Sequence, residues 1–134
     1  MAQEFAIFSL ADSQFALGVS HVREVLRAAA LSASPDRPGL EGLFNLRGEV
    51  IPVVDLRAKL GIPSCKIEAT DFLIVFGNDF QTAALRTESA VQLESVGESS
   101  IESSSEGGLI GGTIRIHEKV VSLLSARALL ELTA

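Results

Sequence analysis

Apolar positions fall in short blocks along most of this chain, and turn-forming residues separate the blocks. Phe5, Ile7, Phe8 and Leu10 form a first run, Ala11-Asp12-Ser13-Gln14 interrupts it, and Phe15 to Val19 resumes it. Run, polar break and run predict a β-hairpin. Ser20 then precedes Val22, Val25 and Leu26, which stand at i, i+3 and i+4, while His21, Arg23, Glu24 and Arg27 take the other positions. That spacing predicts a short amphipathic helix capped by Ser20. The cluster Ser34-Pro35-Asp36-Arg37-Pro38-Gly39 is dense in chain breakers and stops any helix there. From Gly42 to Val54 two apolar runs flank Arg47-Gly48-Glu49, a tight hairpin turn in which Gly48 can take positive φ. Pro52 cannot donate to a ladder, so its strand is expected at a sheet edge or with a bulge there. Asp55 can cap a turn of helix over Leu56-Arg57-Ala58-Lys59-Leu60, which Gly61 and Pro63 end.

The second half repeats this style without a visible exact repeat. Phe72 to Phe76 is continuously apolar, Gly77-Asn78-Asp79 is a turn, and Phe80 to Thr87 returns as the partner strand. Val91, Leu93 and Val96 suggest another short strand. The serine-rich stretch between 95 and 105 is polar enough to predict a mobile surface loop. Leu109 to Ile116 and Val120 to Leu124 flank His117-Glu118-Lys119 as a last hairpin, and Ser125 can cap a final helix that turns Leu129, Leu130 and Leu132 inward. Many short strands with few helices indicate small barrels or a sandwich.

Composition narrows the partners. The chain has 134 residues, 47% hydrophobic and 21% charged, enough to bury roughly two-thirds of its unfolded surface as one domain or two small subdomains sharing a core. With 11 Lys+Arg against 17 Asp+Glu the formal charge is −6, which disfavours nucleic acid and anionic membranes. No signal peptide or transmembrane stretch is recognisable, so a cytoplasmic location and no direct membrane insertion are expected. Chemistry is sparse. His21 and His117 have no neighbours at metal-ligand spacing, and Cys65 is the only cysteine. No nucleophile elbow, P-loop or dinucleotide fingerprint occurs, which points away from an enzyme and leaves no catalytic residue, metal site or cofactor to assign.

Three segments together resemble the CheW-like adaptor family of bacterial chemosensory arrays, over about Glu4 to Leu132. The first is FAIFSLADSQFALGVSHVREVLR; the second, and most specific, is GLFNLRGEVIPVVDLRAKLG, similar to the family's G-x-x-N-L-R-G-x-x-[IV]-P-V-[IV]-D-L-R-x-x-[FL]-G; the third is LIGGTIRIHEKVVSLLSARALLEL. The resemblance implies a mainly β fold of two SH3-like five-stranded barrels side by side with short helices, all within one domain of residues 1–134. Subdomain 1 is expected over about 14–66 and subdomain 2 over about 70–124, with the N-terminal strand and C-terminal helix tying them together. It implies a non-catalytic adaptor without cofactor, monomeric when isolated, that couples chemoreceptor cytoplasmic hairpins to the regulatory domain of a CheA-type histidine kinase.

Carried onto this sequence, the receptor-facing positions are Val22, Glu24, Gly42, Asn45, Arg47 and Gly48, and the kinase-facing ones Phe72, Ile74, Phe76 and Asn78. Each also has a purely structural reading. Val22 can be core, Glu24 a solvated charge, Gly42 and Gly48 conformational requirements, Asn45 a partner for backbone groups, and Arg47 one half of an internal ion pair with Glu49 or Asp55. Arg86 and Thr87 stand where the family is usually apolar, and Ser125 where it is usually acidic. Those departures leave open a paralogue that binds a receptor or array component without kinase coupling, in a non-flagellar motility system.

Overall fold

The computed structural model describes residues 2–28, 31–33, 39–103 and 108–133. Among the described residues twelve strands and two helices follow a repeated order, six strands and then a helix. The first half holds β1 (Ala2–Leu10), β2 (Ser13–Gly18), β3 (Val22–Arg27), β4 (Leu31–Ala33), β5 (Leu40–Leu46), β6 (Glu49–Val54) and α1 (Leu56–Leu60). The second holds β7 (Phe72–Gly77), β8 (Thr82–Thr87), β9 (Gln92–Gly97), β10 (Ile101–Ser103), β11 (Ile110–Ile116), β12 (Lys119–Leu124) and α2 (Ala126–Glu131). The strands form two six-stranded, barrel-like sheets, ordered β10-β11-β12-β2-β1-β9 and β3-β7-β8-β6-β5-β4.

The halves are a structural repeat that no identity of sequence announces. β3, β4, β5 and β6 recur as β9, β10, β11 and β12, each 70 positions on (92 − 22 = 70, for example). Even irregularities recur: the pairing of β5 with β6 shifts register between Leu40 and Gly42, and that of β11 with β12 between Ile110 and Gly112. The leading hairpin of each half is exchanged. β1 and β2 join the sheet of the second half, and β7 and β8 join the sheet of the first, through short parallel ladders β12 to β2 and β6 to β8. The sheets therefore do not divide the chain at the 66–70 connector; strands from both sides of it build each one.

Burial explains the exchanged hairpins. Leu73 and Val75 line the interior of their own barrel, whereas Ile74 and Phe76 face the core shared by the two sheets. On β1 and β2, Phe5, Ile7 and Ala16 face the second barrel's interior, and Phe8, Leu10, Phe15 and Leu17 the shared core. Strands buried on both faces read as unbroken apolar runs, as Phe72 to Phe76 does. The helices close the shared core with Leu56, Leu129 and Leu130. Both caps match expectation: Asp55 accepts the Ala58 N–H and Ser125 that of Ala128, while Gly61 ends α1 at φ 71°.

Three local expectations give way. The segment after Ser20 is no helix: a single 3-10 turn at Val19–His21 leads into β3, whose residues alternate between half-buried and exposed. Valine at 22 and 25 favours the strand, but Glu24 takes the half-buried face and Val25 the exposed one, so the apolar residues do not follow the alternation of the strand. Pro52 lies in a strand with neighbours on both sides and not at a sheet edge, but β6 meets β8 only at Val53 and Val54, just past the proline, so the β8 side of Pro52 itself is unpaired. Within the serine-rich stretch, residues 95–103 form the end of β9, a 3-10 turn at Glu98–Ser100 and β10, and residues 104 and 105 fall outside the described residues. The breaker cluster at 34–38 falls outside the described residues.

Candidate functional site

The residues expected to face a receptor converge on the β5–β6 turn and the neighbouring strand β3. Arg47 and Gly48 both have positive φ, 50° and 90°, which makes the two-residue connection a type I′ turn. Gly48 supplies that conformation without a Cβ penalty. Asn45 holds the turn from below, its Oδ1 accepting the Gly48 N–H at 3.0 Å. The Arg47 side chain is 71% exposed and reaches back to the carboxylate of Glu24, joining turn to strand through an ion pair. Glu24, not Glu49 or Asp55, is thus its partner, a contact 23 residues apart that spacing along the chain could not reveal.

The remaining members of that set lie beneath this surface. Val22 is half-buried against the shared core, and Gly42 is buried at the β5 bulge opposite Val53. Glu24, Asn45, Arg47 and Gly48 lie above them, at the turn and the neighbouring strand.

The set expected to face a kinase divides more sharply. Ile74 and Phe76 are 0% exposed in the shared core and cannot touch a partner. The apolar run reads like a surface only if one face of β7 is free, and both are covered. Moreover, β7 pairs with β3, so the run belongs to the same sheet as the receptor set. Phe72 stays half-buried under the Arg27 guanidinium, 4.3 Å from ring centroid to Cζ. Asn78 is exposed and shapes the β7–β8 turn, its Oδ1 accepting the N–H groups of Phe80 and Gln81 at 2.8 Å each.

Two residues outside both sets complete the face. Arg23 donates to the Thr82 hydroxyl at 2.6 Å and to the Asn78 carbonyl, so it clamps the β7–β8 turn against β3. That turn presents Phe80, 93% exposed, the most exposed large apolar side chain among the described residues. An aromatic in Asn78-Asp79-Phe80-Gln81 is the signal that could have found it, since the strand it was expected to open starts only at Thr82.

At the opposite end of the β7–β8 hairpin from this turn lies a buried charge network. Arg86, with its side chain 1% exposed, pairs with Glu41, with Asp71 at 2.6 Å, and donates to the Cys65 carbonyl at 3.1 Å. Burial works to lower the Arg86 pKa, but the bond to Cys65 and the two carboxylates outweigh it and the value is raised. Burial also raises Glu41 above its ordinary value, against the opposing pull of Arg86. Thr87 is equally internal, donating to the Ser9 carbonyl at 2.7 Å across the two sheets. The two departures from the family's apolar pattern are therefore absorbed inside the molecule.

Two barrel-like sheets sharing one core, with candidate residues on exposed hairpin ends, define a protein-binding module. Among the described residues no group of His, Cys, Asp and Glu could hold a metal ion, and no helix is long and apolar enough to cross a membrane. The chain belongs to the CheW-like domain family, whose description matches residues 4–134; its members are non-catalytic chemotaxis scaffolds and adaptors. The scaffolding protein TtCheW from Thermoanaerobacter tengcongensis superposes with a TM-score of 0.82 at 27% identity, covering 93% of this chain and 90% of that one. The chemotaxis protein CheW of Bacillus subtilis is 27% identical over 96% of this chain and 87% of its own length. A probable chemotaxis protein CheW of Rhizobium etli is 34% identical over 74 residues, 54% of this chain; the match spans about half of that relative, 48% of its length.

Proposed function

We propose that this chain is a non-catalytic adaptor of a bacterial chemosensory array, joining the cytoplasmic hairpin of a chemoreceptor to the regulatory domain of a CheA-type kinase. It works in the cytoplasm, beside membrane receptors that it reaches only through partners, and is a monomer when isolated. The ion pair between Glu24 and Arg47 carries this reading. It joins an exposed polar turn to the edge strand β3, and a turn already held in place binds with a lower ordering cost. Glu24, Asn45, Arg47 and Gly48 are its receptor-facing residues, seated on Val22 and Gly42. Asn78 and Phe72 remain the kinase-facing pair, with Phe80 as the apolar anchor beside them.

Purified protein mixed with a receptor hairpin fragment, and separately with a CheA regulatory domain from the same source, tests the proposal by calorimetry. Binding to both is expected. Receptor binding alone selects a paralogue without kinase coupling; binding to neither sinks the adaptor reading.

A further inference from the structure

The 70-residue repeat breaks at Arg23, whose counterpart on β9 is Leu93 (93 − 23 = 70), an apolar residue with nothing to donate. The backbone differs there too. β3 pairs with β7 through a bulge, Val22 opposite Phe76 and Glu24 opposite Val75, which leaves Arg23 as the extra residue; Gln92, Leu93 and Glu94 of β9 follow β1 without a shift. A bulge re-aims the side chain it carries, and this one sends the Arg23 guanidinium to the Thr82 hydroxyl at 2.6 Å and to the Asn78 carbonyl. The two hairpin turns also differ. Ala11 and Asp12 alone join β1 to β2, whereas four residues, Asn78 to Gln81, join β7 to β8 and include an aromatic. Arginine, bulge, longer turn and aromatic therefore occur together in one barrel, and the other barrel is built without them.

The longer turn is held from two sides. Within it, Asn78 Oδ1 accepts the N–H groups of Phe80 and Gln81 at 2.8 Å each, and the Asn78 N–H donates to the Gln81 carbonyl at 3.0 Å. From β3, Arg23 grips both of its ends, Asn78 and Thr82. Yet Phe80 is 93% exposed, and a ring left in water gives the fold none of the free energy that burial of a phenylalanine supplies. An ordered turn around an unburied aromatic suits a pocket on a partner, because little in it has to be ordered on binding. We propose that Arg23 is the positioning residue of the kinase-facing surface. It holds the β7–β8 turn so that Phe80 enters an apolar pocket of the CheA-type regulatory domain, and it acts through the turn without touching that partner. The identity of the partner rests on the adaptor reading; the clamp does not. Glu24, next to Arg23 on β3, holds the β5–β6 turn, so one strand fixes both docking turns.

Amide nitrogen relaxation in the native chain, Arg23→Ala and Thr82→Val reads the clamp, and calorimetric titration with a CheA-type regulatory domain from the same source reads its consequence. In Arg23→Ala the order parameters of Asp79, Phe80 and Gln81 should fall from about 0.85 to about 0.6 or below. Affinity for the kinase domain should fall about five- to tenfold. Thr82→Val keeps the arginine charge and removes one of its acceptors; it should loosen the same amides and cost about threefold. Phe80→Ala should cost about thirtyfold. Adding Arg23→Ala to it should cost almost nothing more, since no ring is left to position. Losses that multiply in the double variant overturn the proposal, because Arg23 then touches the partner itself. Unchanged turn order in Arg23→Ala overturns it as well, and so does a Thr82→Val chain that binds like the native one. A native chain that does not bind the kinase domain defeats the adaptor reading and the proposal together, and the native titration alone tells that outcome from the others.

Discussion

Arg47 offers the clearest separation of binding from stability at the scale of single residues. An exposed ion pair contributes at most about 1 kcal/mol, and the Arg47 side chain is 71% exposed. Arg47→Glu should therefore weaken binding of the receptor hairpin by about tenfold or more while moving the thermal midpoint by only a few degrees at most. The exchanged double variant Glu24→Arg with Arg47→Glu restores the pair with reversed polarity. Binding stays weak if Arg47 touches the partner, and recovers if the pair only orients the turn. Glu41 gives a stability prediction of known sign. Burial raises its folded pKa above the ordinary 4.5, so the native state holds the proton more tightly than the unfolded chain does. Its contribution is present below about pH 4.5 and is lost as pH rises through the folded pKa. Glu41→Gln cannot lose a proton and keeps a neutral acceptor for Arg86. The thermal midpoint of the variant relative to the native chain should accordingly rise between pH 4 and pH 7; a flat or falling difference contradicts the assignment.

Among the elements, turns and caps were legible because their chemistry is local. Asn45-Leu46-Arg47-Gly48, the capping residues Asp55 and Ser125, and the ends of the long hairpins follow from residue type alone. Strand β3 was not legible, since Val22, Val25 and Leu26 fit one face of a helix, while in the strand Val25 faces outward and Glu24 takes the half-buried face, which hides the two-residue period. The continuous run of β7 suggested a strand but not its neighbours; a strand covered on both faces looks the same whichever sheets cover it. That is why Ile74 and Phe76 suggested a surface, and why Arg47 suggested nearby carboxylates when its partner waited on β3. Close backbone approach makes Gly77 a further test at this scale. A Cβ there would lie 2.2 Å from the Gln81 carbonyl oxygen, a backbone atom that only a shift of the β7–β8 turn could move aside. Gly77→Ala should cost roughly 1–3 kcal/mol in denaturant unfolding. It should also displace Asn78 and Phe80 and so reduce kinase-domain binding more than Arg47→Glu does.

For the whole molecule, exchange of the leading hairpins decides what can fold alone. Residues 1–66 contain β3 to β6 but lack β7 and β8, which stand between β3 and β6 in their sheet. Residues 67–134 contain β9 to β12 but lack β1 and β2, which stand between β9 and β12. Each half alone leaves the barrel-facing side of its own hairpin uncovered, keeps only part of the shared core on the other side, and splits its remaining strands into two groups, a loss no short helix can offset. The connector is the natural place to cut, because Pro63, Ser64, Cys65 and Lys66 are exposed, although the Cys65 carbonyl anchors Arg86. A protease site placed between Pro63 and Ser64 should give a nicked protein whose halves elute together and keep the native circular dichroism. Halves produced separately should show unfolded spectra and recover the native one when mixed in equal amounts, since every missing strand is then supplied. A half that gives a dispersed, cooperative spectrum alone would show that the barrels are independent. In that case the exchanged hairpins would be contacts between finished subdomains, and the Arg86 network would have to carry the coupling between them.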